Sequence, residues 1–300
     1  MTKSKLRSKF LVTVASWEQR FELGIRRTLE EHTLSHLLMF YYEEFEDRTN
    51  EHRTAVKKLA SDRGIECESV PLSFGDAPRT WRTITTSLQL RSDFASSLID
   101  ISTMPRETLW IALSQLRRDA IETSYVYNSP VDYADWLSRD PGRPRLVYKL
   151  SGIASLGKQT CLIITTGYDP ERTRQLMWFY EPRKILIGFQ TGSQFSNSEK
   201  NIKRHRDSLR EEYREFEVQE FEIDAYGTDR GEGVLVREIE KLRSTHNLVM
   251  TSLGPKLGAL AHFQAHLKYP ETSLAYTPAK EFNTDYSIGI SQSHYGHIQW

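Results

Sequence analysis

Three hundred residues suit one large domain or two of about 150, and a chain that is 38% hydrophobic and 27% charged has ample material for a globular core. Lys plus Arg and Asp plus Glu number 40 each, so the formal net charge is zero and no bulk field recruits DNA, RNA or an anionic membrane. No apolar run reaches the roughly 18 residues of a membrane span, and two cysteines, Cys67 and Cys161, cannot build a disulfide framework.

The N-terminal "MTKSKLRSK" is basic without the apolar stretch of a signal peptide and reads as a solvated tail. With the two thiols set in apolar stretches, this predicts a cytoplasmic protein. The first strand is "FLVTVASWEQR" (10–20), followed by a partly amphipathic helix over 20–32. "HLLMFYYEEF" (36–45) is the second strand, and the polar helix after it ends at Gly64. "CESVPLSFGD" (67–76) is the third. The fourth, "SLIDISTMPR" (97–106), runs into a helix over 106–120 carrying Leu109, Ile111, Leu113 and Leu116, and "TSYVYNSP" (123–130) is the fifth. "SRDPGRPR" (138–145) is rich in breakers and reads as a linker, with a short hairpin over 146–158.

The remainder repeats what came before. "CLIITTGYDPER" (161–172), "KILIGFQTGSQF" (184–195), "EVQEFEIDAYGTD" (217–229), "NLVMTSLGPK" (247–256) and "TSLAYTP" (272–278) match the five strands in order, at an offset of roughly 150 residues. The tail "SIGISQSHYGHIQW" (287–300) adds an edge strand. Short strands alternating with helices call for parallel crossover units. The fold class is therefore α/β, internally duplicated, with two tandem Rossmann-like halves, each built on a mainly parallel sheet of about five strands. The expected division is 1–137 for the first repeat, 138–158 for the linker and 159–300 for the second. Strand orders 3-2-1-4-5 and 2-1-3-4-5 both fit.

Ligands of open parallel sheets bind outside the carboxyl ends of the strands, where the order reverses. After strand 1 stand Ser16, Trp17, Glu18 and Arg20, matched by Gly167, Tyr168, Asp169 and Arg172. After strand 4 stand Ser102, Thr103, Pro105 and Arg106, matched by Ser252, Gly254, Pro255 and Lys256. A helix N-terminus carries four unpaired N–H groups and about half a positive charge, and proline fits its first turn. A cation placed there opposes the macrodipole, so its repetition points to a bound anion. The alternative is a plain helix start whose cation pairs with Glu107 or faces water. Trp17 and Tyr168 are placed to stack on a base or sugar, and Arg20 and Arg172 to fork onto phosphate oxygens. The competing reading pairs Glu18 with Arg20 and Asp169 with Arg172 inside their own loops.

Neither half has G-x-G-x-x-G or a P-loop, so no dinucleotide cofactor is expected, and "GTDRGEG" (227–233) reads as a flexible loop. His262 and His266 share a helix face without the Glu of H-E-x-x-H, His294 and His297 lie in the tail, and no metal site is expected. Should a bond be broken, Glu18 with Arg106 or Asp169 with Lys256 would activate water, with Asp76 and Asp100 near the same edge. Asp100 aligns with Met250, so it lies outside the duplicated design.

Three functions compete. The first is binding or sensing of a phosphorylated, nucleotide-like ligand in a cleft at the strand carboxyl ends of the two halves. In architecture alone, with no diagnostic motif, such tandem halves resemble the duplicated sensor domains that bind cyclic oligonucleotides in prokaryotic defence systems. The second is a hydrolase or transferase acting on a nucleotide or sugar phosphate. The third is a protein-interaction scaffold or homo-oligomer presenting the charged helices at 46–63 and 199–215, which otherwise read as solvated faces.

Overall fold

A computed structural model describes residues 6–192 and 198–300. The start of the basic N-terminal segment and the end of the 184–195 stretch lie outside the described residues. The chain forms two compact units, one of residues 1–137 with 283–300 and the other of 138–282.

In the first unit the elements run β1 (Leu6–Val14), α1 (Gln19–Glu31), β2 (His36–Tyr42), a 3-10 turn at Glu43–Phe45, α2 (Glu46–Ser61), β3 (Glu66–Leu72), α3 (Ala77–Gln89), β4 (Phe94–Asp100), α4 (Arg106–Arg118), β5 (Glu122–Ser129) and β6 (Asp132–Tyr133). The second unit holds β7 (Ser138–Pro141), β8 (Arg145–Leu146), β9 (Gln159–Thr165), α5 (Pro170–Tyr180), β10 (Lys184–Gln190), α6 (Ser198–Ser208), α7 (Glu212–Glu215), β11 (Glu217–Ile223), α8 (Glu232–Leu242), β12 (His246–Ser252), α9 (Lys256–Lys268), β13 (Ser273–Tyr276) and β14 (Ala279–Phe282). The chain then returns to the first unit for β15 (Ser287–Ile288) and β16 (Gln292–Ile298).

Each unit has a six-stranded sheet, ordered β16-β5-β4-β1-β2-β3 in the first and β11-β10-β9-β12-β13-β8 in the second. The five crossover-connected strands of each sheet are parallel in the order 3-2-1-4-5, and an antiparallel strand closes one edge. The order reverses between β1 and β4 and between β9 and β12, which opens a crevice above those carboxyl ends.

Strand residues alternate faces with period two. Leu11, Leu37, Met39 and Leu98 bury one face of the first sheet against Phe21, Ile25 and Leu29 of α1 and Val56 and Leu59 of α2. The same layer in the second unit joins Leu162, Ile164, Ile185 and Ile187 to Leu176 and Met177 of α5. Cys161 is buried in β9, where loss of solvation pushes its thiol up to about 12. Gly64 follows α2 with φ +67°, a left-handed conformation suited to glycine and the helix stop expected there.

Two parts of the expected division are corrected. The tail joins the first unit, because β16 pairs along its length with β5, from Gln292 opposite Ser129 to Ile298 opposite Thr123. Residues 138–158 form no hairpin of their own: β7 pairs with β14 and β8 with β13, so the segment belongs to the second unit. Both corrections rest on antiparallel pairing over long sequence separations.

Candidate functional site

At the crevice of the first unit, β1 ends in a turn where Ser16 Oγ accepts the Glu18 N–H at 3.2 Å. Glu18 and Arg20 are both buried and form an ion pair at 2.8 Å. Arg20 also donates to the Asn128 carbonyl at 3.1 Å, and Ser287 donates to Glu18. Burial disfavours the Arg20 charge, but the Glu18 carboxylate, with Tyr133 and Tyr127 nearby, overrides it and holds the pKa well above the ordinary value. Trp17 donates its indole N–H to the Asn283 carbonyl at 3.1 Å, packs on Phe45 and lies under the Arg48 guanidinium at 4.1 Å. The intra-loop pairing weighed in the sequence is present here, and Trp17 and Arg20 are held by the fold.

The β4 end is equally tied. Asp100 is fully buried and accepts the Ser102 N–H at 2.8 Å, while Ser102 Oγ accepts the Asn128 N–H at 2.8 Å. Thr103 donates to the Val14 carbonyl at 3.0 Å, joining the β4 and β1 loops. Asp100 packs beneath α1, where an added Cβ on Gly24 would stand 3.6 Å from Oδ2 and 2.6 Å from Asn128 Nδ2. Arg106 opens α4 behind Pro105, a residue with no side chain to cap the helix. Glu107 supplies an acid to the first turn, and Thr108 shares a 2.5 Å hydrogen bond with the Tyr42 hydroxyl at the end of β2. Asp76, the further acid considered, caps α3 by accepting the Arg79 N–H at 2.9 Å.

The second unit repeats the frame with different contents. Asp169 caps α5 by accepting the Glu171 N–H at 2.9 Å and lies 3.5 Å from the Arg172 guanidinium, which also donates to Ser138 at 2.6 Å. Tyr168 is half-exposed at this edge, whereas Trp17 is packed. Lys256 opens α9 behind Pro255, again without a side-chain cap, and no acid stands in the first turn. Gly167 and Gly254 let the β9 and β12 loops touch: a Cβ at Gly167 would come within 2.1 Å of the Leu253 carbonyl oxygen.

Beneath those loops are polar groups that no motif marks. Gln190 ends β10, and its Oε1 accepts the Ala225 N–H at 3.2 Å. Its Nε2, with Ser252 Oγ and Thr165 Oγ1, is buried without a hydrogen-bond partner among the described residues. A buried group left so costs about 1–3 kcal/mol. Asn201 on α6 donates to the Gly167 carbonyl at 3.1 Å, fastening that helix to the same loop. Burial lowers the pKa of His205, whose Nδ1 donates to the Asn201 carbonyl. The signal for Gln190 was its place: it ends strand 2 of its repeat as Tyr42 does in the other.

The remaining candidate histidines and the glycine-rich loop make local contacts. His262 and His266 direct Nδ1 to the carbonyls of Gly258 (2.8 Å) and Thr272 (3.0 Å). Tail His297 meets Ser124, and His294 stacks on Tyr127. The "GTDRGEG" loop closes on Asp229, which accepts the N–H groups of Gly231 and Gly233. Among the described residues, no cluster of three or more His, Cys, Asp or Glu is arranged to hold a metal, and no helix is long and apolar enough to cross a membrane.

No family model matches the sequence, and no curated protein matches it. Among solved structures the chain is similar to a Type III CRISPR defence DNA nuclease activated by cyclic oligoadenylate, with TM-score 0.60 and 8% identity over 86% of this chain and 64% of that one. The chain thus spans less than two thirds of the nuclease, and at this identity the likeness shows a shared α/β fold. Weaker likenesses include Can2 from Sulfobacillus thermosulfidooxidans in complex with cyclic tetra-adenylate (TM-score 0.31, 11% identity, 39% of this chain and 31% of that). Another is the cytoplasmic domain of a prokaryotic cation chloride cotransporter (0.33, 10%, 93% and 99%). Neither carries an argument about function.

Proposed function

We propose that the protein binds, and thereby senses, a phosphorylated nucleotide-like ligand at the strand carboxyl edges of its duplicated units. The observation that carries this reading is the repeated start of α4 and α9. Each follows the strand beside the sheet reversal, begins after a proline that offers no side-chain cap, and places a cation, Arg106 or Lys256, at its first residue. A cation there adds to the positive end of the helix macrodipole, and the two together favour an anion at the junction. Ser102, Thr103 and Ser252 stand at the same junctions, with Ser16, Trp17 and Arg20 or Tyr168 and Arg172 across the crevice.

Binding is favoured over hydrolysis because Glu18, the first-unit candidate base, is buried under Arg20 and Ser287. It would have to exchange both before taking a proton from water. A role in prokaryotic defence is part of the proposal, and the activator named for the fold neighbour makes linear and cyclic oligoadenylates the first compounds to test.

The test is a thermal-shift panel of oligoadenylates, mononucleotides and sugar phosphates on the wild-type protein and the Arg106→Ala/Lys256→Ala double variant. A ligand at 100 times its Kd adds about 2.7 kcal/mol of stability. The expected result is a rise in wild-type Tm with a phosphorylated compound that the double variant lacks. A flat panel for the wild type would remove the binding reading and leave the scaffold.

A further inference from the structure

The two carboxyl edges share a frame and differ in what fills it. In the first unit, Tyr42 at the end of β2 reaches Thr108 in the first turn of α4, Glu107 gives that turn an acid, and Ser102 Oγ accepts the Asn128 N–H. The corresponding residues of the second unit are Gln190, Gly258, Leu257 and Ser252. There the hydroxyl and the acid of the helix turn are gone, and Ser252 Oγ and Gln190 Nε2 have no hydrogen-bond partner among the described residues.

Both groups lie against the start of α9. Ser252 Oγ is 3.6 Å from where a Cβ on Gly258 would stand, over the first turn. Gln190 Nε2 is 2.9 Å from the Cβ position of Gly254, in the loop that feeds the helix, so glycine there is what lets the amide approach. The residues are 2% and 5% exposed, which makes them buried donors rather than surface decoration. A helix start without acid or side-chain cap, a lysine as its first residue, and two buried donors form a set that suits a tetrahedral oxyanion. A phosphate monoester or diester has the charge for the helix start and Lys256, and enough oxygens to accept from both side chains.

We infer that the units have diverged in function: the second-unit edge is the principal phosphate seat, formed by Lys256, the N–H groups that open α9 ahead of Gly258 (whose own N–H donates to the Pro255 carbonyl), Ser252 and Gln190, while the first-unit edge is closed by its own Tyr42, Glu107 and Thr108. This rests on the binding reading above and assigns the phosphate to one unit. Because Ser252 and Gln190 are nearly covered, engaging them requires a side-chain rotation or a small parting of the 166–168 and 253–254 loops. Binding is thereby coupled to a local change of shape.

The test is equilibrium dialysis of the full-length protein with radiolabelled inorganic phosphate, using Lys256→Ala, Arg106→Ala, Lys256→Arg and Gly258→Ser, with thermal melting to confirm that each is folded. Gly258→Ser adds its Cβ at ordinary contact distance and offers Ser252 a partner, imitating the closed edge. Lys256→Ala and Gly258→Ser are expected to weaken phosphate binding at least tenfold, Lys256→Arg to retain most of it, and Arg106→Ala to cost several-fold less than Lys256→Ala. A loss for Arg106→Ala equal to or larger than that for Lys256→Ala overturns the assignment and leaves the binding reading standing. A wild type that binds neither phosphate nor any compound of the panel overturns both.

Discussion

The Ser102 hydroxyl accepts a hydrogen bond from the buried backbone N–H of Asn128 at 2.8 Å, joining the end of β4 to the end of β5. Ser252, its counterpart in the second repeat, is just as buried, and its hydroxyl has no hydrogen-bond partner among the described residues. One duplicated serine therefore supports the fold in the first unit and carries an unmet hydrogen-bonding need in the second.

Opposite effects of the same substitution follow. Ser102→Ala orphans the Asn128 N–H and is expected to lower stability by about 1–3 kcal/mol. Ser252→Ala removes an unsatisfied group and is expected to be neutral or stabilising by up to about 1 kcal/mol while weakening phosphate binding. Urea titrations of the two variants, with phosphate dialysis alongside, check both halves of the contrast.

The Glu18–Arg20 pair is buried, so removing one partner leaves an uncompensated charge. Glu18→Ala or Arg20→Ala alone is expected to cost about 3–5 kcal/mol, and the double variant clearly less than the sum. A double-mutant cycle by chemical denaturation measures this. Additive losses would mean that the two side chains act separately.

Backbone contact between the β9 and β12 loops depends on Gly167, whose added Cβ would meet the Leu253 carbonyl oxygen at 2.1 Å. Gly167→Ala is expected to destabilise by about 1–3 kcal/mol as the loops are forced apart. Gly258→Ala, with only 3.6 Å contacts and a better helix former, is expected to stabilise by at most about 1 kcal/mol. Thermal melting of the two variants separates them by sign.

Glu44, just after β2, accepts the N–H groups of Phe74 and Gly75 and the Ser73 hydroxyl. Burial pushes its pKa upward, but these hydrogen bonds win and hold it below the usual range. A depressed folded pKa means stability that is present above the unfolded value, about 4.3, and lost as pH falls through the folded one. Glu44→Gln is therefore expected to be less stable than wild type at pH 7, with the gap narrowing on acidification below about pH 4. Urea midpoints at both pH values test this, and a gap that widens in acid contradicts it.

The repeat was legible because apolar strand runs and helix starts recur locally: "SLIDISTMPR" and "NLVMTSLGPK" became β4–α4 and β12–α9. Strand order was not legible, since βαβ units satisfy their local patterns in either winding. The return of β16 to β5 was hidden by a separation of more than 160 residues. At the site, residue types showed where cations and acids collect but not which were already engaged. Trp17 meets Arg48 and Asn283, partners that no spacing rule connects to it. Gln190 and Ser252 stand out only once burial shows that Gln190 Nε2 and Ser252 Oγ lack hydrogen-bond partners among the described residues.

The most direct measurement is mass spectrometry of small molecules released on denaturing freshly purified wild-type protein, beside the Arg106→Ala/Lys256→Ala variant. The account predicts a phosphorylated compound from the wild type that is missing from the variant. The same compound released in equal amount by both would contradict it, because phosphate would then be held without the cations that open α4 and α9.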